Sequence, residues 1–226
     1  MIEALPFYVN YLFLATTLLT LWFFYRASQS KLAIFIVLAY VALQGIISDT
    51  GFYTINNVMP PRFLVLVLPA FLTIIVLLAT KKGQAFIDSL NNTWLTYLHT
   101  IRIPVELTLY FLFIHKLVPG LMTFEGRNFD IISGLTAPLI AYWGYTQKRL
   151  SNKVLLLWNF ICLALLLNIV VISVLSAQTP FQQWAFDQPN TGVLHFPFTW
   201  LPGFIVPMVL FAHLVNIRAL LRKAKS

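Results

Sequence analysis

The chain has 226 residues, of which 59% are hydrophobic and only 10% are charged, and its mean hydropathy is +0.82. This composition excludes an ordinary water-soluble domain, in which about 25% of the residues are charged. The formal net charge of +8 could indicate a nucleic-acid partner, but the basic residues collect at alternate ends of apolar segments, which is typical of membrane proteins. The sequence therefore predicts an integral membrane protein that contacts membrane lipid and no nucleic acid.

Seven apolar segments follow one another along the chain, each 18 to 23 residues long. About 20 residues cross the hydrocarbon as a helix, and continuous apolar runs favour helices over the alternating strands of a barrel. The segments are residues 7–25, 31–48, 63–80, 101–119, 129–146, 154–176 and 196–217. Because only short connections separate them, the sequence predicts an all-α, polytopic fold, with residues 1–226 forming a single seven-helix transmembrane domain.

The basic residues also predict the orientation of this bundle. Only Arg62, Lys116 and Arg127 lie at one side of the seven-helix path, and most of the others lie at the opposite side: Arg26, Lys31, Lys81, Lys82, Lys148, Arg149, Lys153, Arg218, Arg222, Lys223 and Lys225. Cytoplasmic loops carry the excess of Lys and Arg. We therefore expect the amino terminus outside and the carboxyl terminus in the cytoplasm. The first segment precedes its first basic residue, so it is an anchor rather than a cleaved signal.

Two connections have amphipathic composition. Within residues 83–100, Phe86, Leu90, Trp94 and Leu98 recur at four-residue spacing, which predicts a cytoplasmic interfacial amphipathic helix. A partner-binding helix is the alternative interpretation. The outer connection, residues 177–195, mixes aromatic side chains with Gln and Asp, which predicts a loop or lid that folds back over the bundle as a short helix or re-entrant turn. The alternative is an interfacial loop that merely covers the helix ends.

The fifth segment begins with the run Gly126-Arg127-Asn128-Phe129-Asp130-Ile131-Ile132-Ser133-Gly134-Leu135-Thr136-Ala137-Pro138. Its small residues predict close packing against neighbouring helices. The run resembles the signature of an uncharacterised family of small bacterial multispanning membrane proteins, as do Trp158-Asn159 and the stretch 201–207 with His213 downstream. The resemblance implies the bacterial cytoplasmic (inner) membrane as location and no particular activity. It singles out Asp130, Asn159 and His213.

Four polar residues are expected to form an inner layer: Arg102, Glu106, Asn159 and His213. Counted at about 1.5 Å per residue, Glu106, Asn159 and His213 lie about 6 to 10 Å from the cytoplasmic edge of their segments, and Arg102 is one turn before Glu106. One interpretation is structural, with Arg102 pairing with Glu106 and the others joining helices through hydrogen bonds. The other makes Glu106 a proton or cation site influenced by Arg102 and His213.

A second group is expected near the outer face. It comprises Asp130, Asp187, Glu125, His195 and Arg127, together with Asp49, His115 and Arg62. These groups could line an outward cavity, bind a divalent cation or form salt bridges. A metal site is not favoured, because no two histidines stand at helical spacing and HExxH is absent. No cofactor is predicted.

The sequence favours a protein that binds or transports a small solute or ion through a polar site in the bundle, since buried charges in membranes are costly and are often functional. One alternative is a membrane-embedded enzyme acting on lipid or isoprenoid at the outer face, although no GxSxG, P-loop or similar catalytic motif is present. Another is a non-catalytic subunit that docks through its basic tail, residues 218–225. A second copy of the chain or another membrane protein could be the partner.

Overall fold

The computed structural model describes residue 2, residues 5–55 and residues 60–223, and the regular structure within them is helical. The helices are α1 (Phe7–Ser28), α2 (Lys31–Asp49), α3 (Phe63–Ala79), α4 (Lys81–Ser89), α5 (Asn92–Leu98), α6 (Arg102–Ile114), α7 (Ile131–Ile140), α8 (Asn152–Leu175) and α9 (Val206–Lys223). A 3-10 turn, His99–Ile101, joins α5 to α6, and π-helical turns follow α7 (Ala141–Thr146) and precede α9 (Leu201–Ile205). The prediction of an all-α fold is confirmed.

Among the described residues, five helical stretches are long and apolar enough to cross a membrane. They are Phe7–Ser28, Lys31–Asp49, Asn92–Ile114, Asn152–Leu175 and Leu201–Lys223. A sixth span results if α3 and α4 are counted together, although they meet at a bend of 94°. The bend follows from local capping, since the Thr80 hydroxyl ends one helix and accepts a hydrogen bond from Gly83 N, at 3.1 Å, in the first turn of the next.

The predicted fifth segment is helical but short. It consists of ten residues of α-helix in α7 followed by six of π-helix, which span about 24 Å at 1.5 Å per residue, less than the hydrocarbon thickness of about 30 Å. Its small residues Ser133, Ala137 and Ala141 are fully buried, at 0% exposure. The membrane class is thus supported by five or six span-length helices, while seven spans and the outward amino terminus stay predictions.

The segment 83–100 is divided rather than continuous. Helix α4 ends at Ser89, and Asn91 begins α5 because its side-chain oxygen accepts hydrogen bonds from Thr93 N at 3.0 Å and Trp94 N at 3.3 Å. The second half of the predicted interfacial helix therefore belongs to the long stretch Asn92–Ile114. Arg102 comes ten residues after Asn92, or about 15 Å along the helix. It lies near the middle of the stretch instead of close to its edge, which corrects the predicted depth.

The outer loop folds back across the ends of α6 and α8. Thr191 N and Gly192 N donate to the carbonyl of Leu117 at 3.1 and 2.7 Å, and the Gln188 amide donates to Val118 O at 2.6 Å. The helical part of the loop is only the 3-10 turn Gly192–Leu194.

Within the bundle, the last helical stretch is the most enclosed, with 67% of its most apolar window buried, whereas α2 is peripheral at 22%.

Candidate functional site

Seven polar side chains meet in the interior of the bundle, and none is more than 5% exposed. The 3-10 turn and α6 supply the first three, the loop before α7 the next two, and α8 and α9 one each. We call this group the central polar cluster: His99, Arg102, Glu106, Asn128, Asp130, Asn159 and His213. It contains all four residues predicted for the inner layer and one residue, Asp130, that the sequence placed in the outer group.

Arg102 is the hub of the central polar cluster. Its Nη1 donates to Asp130 Oδ1 at 2.5 Å and to the backbone carbonyl of Cys162 at 3.2 Å, while Nη2 lies 2.9 Å from His213 Nε2. The side chains of Arg102 and Asp130 are only 3% and 7% exposed. A buried ion pair is tolerated when its geometry is good and further hydrogen bonds satisfy the remaining donors. Arg102 thus ties α6 to the start of α7, to α8 and to α9.

The hydrogen bonds of His213 fix its tautomer. A guanidinium can only donate, so His213 Nε2 must accept from Arg102 and the proton must lie on Nδ1. Nδ1 then donates to Asn159 Oδ1 at 2.9 Å, and the Asn159 amide donates to Leu155 O at 2.8 Å. The chain of bonds from Arg102 ends within α8, and it uses both ring nitrogens of His213.

His99 lies against the same network through ring contacts. Its ring stacks on that of His213, with centroids 3.9 Å apart and planes 21° apart, and it meets Trp158 edge to face at 5.5 Å. Neither ring nitrogen of His99 has a hydrogen-bond partner among the described residues. Unmade hydrogen bonds of buried groups cost about 1–3 kcal/mol each, so the packing of His99 against His213 and Trp158 must offset that cost.

Glu106 does not pair with Arg102, which corrects the predicted pairing along α6. Its Oε1 accepts a hydrogen bond from Asn128 Nδ2 at 2.5 Å, and its Oε2 has no partner among the described residues. Asn128 also donates to Met122 O at 3.0 Å and accepts from Asp130 N at 3.1 Å. The amide of Asn128 therefore connects the carboxyl group of Glu106 to the backbone N–H of Asp130, and the side chain that pairs with Arg102 is that of Asp130.

Glu106 and Asp130 both line a cavity of about 120 Å³. The remaining wall is almost wholly apolar: Phe63, Val67 and Phe71 of α3, Val105 and Leu109 of α6, Leu166, Ile169, Val170, Ser173 and Val174 of α8, and Met122, Val193, Leu201, Pro202 and Val206. For scale, an apolar cavity of about 150 Å³ in another protein binds benzene. The cavity can therefore hold a small molecule, and the ionisable groups among its described lining residues are the two carboxyl groups.

The other predicted outer residues do not join Asp130. Glu125, Arg127 and Asp187 are exposed, and His195 is half-buried. Burial lowers the pKa of His195. Among the described residues, no group of three or more His, Cys, Asp or Glu side chains is arranged to hold a metal ion. The convergence expected for an enzyme site at the outer face is therefore not seen, and the polar groups that do converge lie deeper.

Two members of the central polar cluster were missed as site residues. His99 stands three residues before Arg102, which on a helix is the same face, but the segment was assigned to an interfacial helix. Asn128 comes two residues before Asp130, a spacing at which an Asn side chain commonly bonds the backbone ahead of it. Both signals are local, and each could have extended the predicted site.

Comparison with known proteins gives no relative from which a role could be transferred. The chain matches no protein-family model, no curated protein and no solved structure. The resemblance of residues 126–138 to a bacterial multispanning family therefore stays a prediction. The functional argument has to come from the geometry of the central polar cluster and its cavity.

Proposed function

We propose that the protein is a multispanning transporter of the bacterial cytoplasmic membrane that binds a proton or a small cationic solute at Glu106. Seven spans, with the amino terminus outside, are part of this proposal. The asymmetric basic residues support the orientation, and the short helical stretch 131–146 supplies the additional span beside the longer helices. A short span is accommodated by local thinning of the bilayer or by flanking side chains that reach the interface.

The observation that carries the proposal is the unpartnered Oε2 of Glu106, which is buried in the wall of a cavity. The central polar cluster contains one guanidinium and two carboxyl groups, so Arg102 can neutralise only one of them. Its ion pair with Asp130 uses that charge. An isolated ionised carboxylate removed from water is strongly disfavoured. A proton or a cation from outside the chain would balance Glu106, and binding such a particle reversibly is what a transport site must do.

The helices around the central polar cluster are irregular in a way that supports movement of a bound ion. The cluster lies at the 3-10 turn His99–Ile101, and the π-helical turn Leu201–Ile205 contributes Leu201 and Pro202 to the cavity wall. Interruptions of this kind are frequent at functional sites of membrane helices and at transporter binding sites. A purely structural cluster would require neither the cavity nor a carboxylate oxygen without a partner.

Reconstituted liposomes test the proposal. We expect the protein to increase the acidification of liposomes that enclose a pH-sensitive dye when a potassium diffusion potential, negative inside, drives cations inward. Glu106→Gln should reduce this flux at least about tenfold, because the amide of Gln cannot take up and release a proton as a carboxyl group does. Glu125→Gln is the matched control, because Glu125 is exposed in the loop before α7, and it should leave the flux unchanged. Flux equal to that of empty liposomes, or equal in wild type and Glu106→Gln, would contradict proton transport at Glu106.

A further inference from the structure

We infer that the solute bound at Glu106 is a small organic amine, in which an ammonium group is attached to an apolar body about the size of a benzene ring. The inference rests on the proposed function and names the chemical class of its substrate. Its basis is the composition of the cavity wall, in which Glu106 and Asp130 are the ionisable residues and nearly all the other described lining residues are apolar.

The carboxyl groups of Glu106 and Asp130 favour the binding of a cation over that of an anion. Glu106 is 1% exposed, and its Oε2 has no partner among the described residues. Asp130 uses Oδ1 for Arg102 and, at 3.5 Å, for Ser133, and its Oδ2 forms no hydrogen bond within the described part of the chain. Two carboxylate oxygens are thus left to accept hydrogen bonds. An ammonium group carries three donors and no acceptor, whereas an anion would meet two carboxyl groups of like charge.

The apolar remainder argues against an inorganic cation as the solute that fills this site. Calcium takes six to eight oxygen ligands, and magnesium keeps several of its waters when it binds. The wall beyond the two carboxyl groups is built from side chains such as Phe63, Phe71 and Ile169, which provide no oxygen. An organic ammonium satisfies both parts of the cavity, since its nitrogen needs a few acceptors and its hydrocarbon needs apolar contacts.

The volume limits the size of the apolar body. A cavity of about 120 Å³ is slightly smaller than the apolar cavity of about 150 Å³ known to hold benzene. Val174, one of the lining residues, is 44% exposed on α8, so the cavity borders the surface that faces lipid. An amine that partitions into the bilayer in its neutral form could therefore reach the site from the side of the bundle and take the proton of the Glu106 carboxyl group, which leaves an ammonium beside a carboxylate.

Three probes of the same shape and different charge test the inference: benzylamine, benzyl alcohol and benzoate. Isothermal titration of the purified protein in lipid nanodiscs should show binding of benzylamine and no binding of benzoate. Benzyl alcohol should bind about 10- to 100-fold more weakly than benzylamine, the ratio expected when a charge-assisted hydrogen bond is lost. Equal affinity for benzylamine and benzyl alcohol, or binding of benzoate, would overturn the inference.

Two variants separate the role of charge from that of volume. Glu106→Gln should abolish the preference for benzylamine over benzyl alcohol, and Glu125→Gln should retain it. Val170→Leu, which adds one methylene to the cavity wall, should weaken both probes together and leave their ratio unchanged. Sensitivity of the ratio to Val170→Leu, or its persistence in Glu106→Gln, would place the ammonium elsewhere and overturn the inference.

Failure of this inference is distinguishable from failure of the proposed function. Flux in liposomes that depends on Glu106, together with no binding of benzylamine, overturns the amine and leaves proton transport in place. Absence of both overturns the two together. Competition completes the test: benzylamine should inhibit the flux of the wild-type protein, and benzoate should not. A flux that saturating benzylamine leaves unchanged would show that the amine does not occupy the site of Glu106.

Discussion

Replacing Asp130 by Asn should be among the most destabilising conservative changes in this chain. The substitution keeps the shape of the side chain but removes the negative charge opposite Arg102, whose side chain is 3% exposed. Breaking a buried ion pair by removing one partner costs about 3–5 kcal/mol, because the other charge is left uncompensated. The remaining contacts of Arg102, to Cys162 O and His213 Nε2, are made with uncharged groups and cannot replace the lost charge.

The magnitude translates into a large change in thermal stability. For globular domains of 150–250 residues, 1 kcal/mol shifts the midpoint of unfolding by about 2–4 °C, so Asp130→Asn should lower the midpoint by about 6–20 °C. The lone cysteine provides the assay. Cys162 is a free thiol with 2% exposure, and a thiol-specific fluorogenic dye will react with it only as the bundle opens. Heating the purified protein in detergent with this dye therefore reports unfolding at the site itself.

Two controls decide whether the ion pair is the cause. Asp187→Asn makes the same chemical change at an exposed aspartate. It should change the free energy of unfolding by no more than about 0.5 kcal/mol, which moves the midpoint by about 1–2 °C. The double variant Asp130→Asn/Arg102→Met should be more stable than Asp130→Asn alone, because it leaves no unpaired charge. If Asp130→Asn shifts the midpoint no further than Asp187→Asn does, or if the double variant is the less stable one, the reasoning about the buried pair is refuted.

The packing of α7 and the ion pairs between α4 and α9 give two further predictions. Gly134→Ala would place its Cβ 2.9 Å from Ile103 Cγ1 and 3.0 Å from Ile103 N, so α7 must move away from α6. The same dye assay should report that the protein loses about 1–3 kcal/mol of stability. An unchanged midpoint would contradict this packing. Hydrogen bonding to Arg218 lowers the pKa of Asp88 from 3.8. The ionised Asp88 therefore stabilises the folded protein above about pH 4, and this contribution is lost as the pH falls through the lower pKa of the folded state. Unfolding followed by tryptophan fluorescence should show that the wild type loses stability at acid pH and that Asp88→Asn loses less. Equal pH dependence of the two proteins would contradict the prediction.

The sequence predicted the composition of the site better than its arrangement. Arg102, Asn159 and His213 were grouped because similar depth along neighbouring spans brings polar residues together, and they form one continuous network. The predicted depth is wrong because the periodicity of residues 83–100 predicts one interfacial helix, whereas the structure divides the segment at Leu90 and Asn91. The side chain of Asn91 ends that pattern by capping α5, a competition between side-chain and backbone hydrogen bonding that hydrophobic periodicity does not record.

The partner of Arg102 was not predictable from spacing. Glu106 stands one turn after Arg102, an arrangement that commonly pairs opposite charges on an exposed helix. In the bundle, the loop before α7 brings Asp130 to the guanidinium, and the amide of Asn128 takes up one oxygen of Glu106. This exchange depends on the path of residues 119–130, in which turns and a short 3-10 helix replace regular structure. Long-range contacts of that kind are decided by tertiary packing and not by local pattern.

The same exchange of partners separates the functional interpretation from the structural one. Had Glu106 paired with Arg102, every charge on α6 would be balanced and the central polar cluster would need no explanation beyond holding helices together. Because Asp130 takes that role, Glu106 lies against an apolar cavity with one oxygen unpartnered. Buried irregular backbone at membrane depth is tolerated where it packs on protein or lines a cavity, and here the 3-10 turn His99–Ile101 directly precedes the helix that carries Glu106. One carboxyl group is left over after the ion pair is made, and it lies in the wall of a cavity. A structural role does not require that feature, whereas a binding site does.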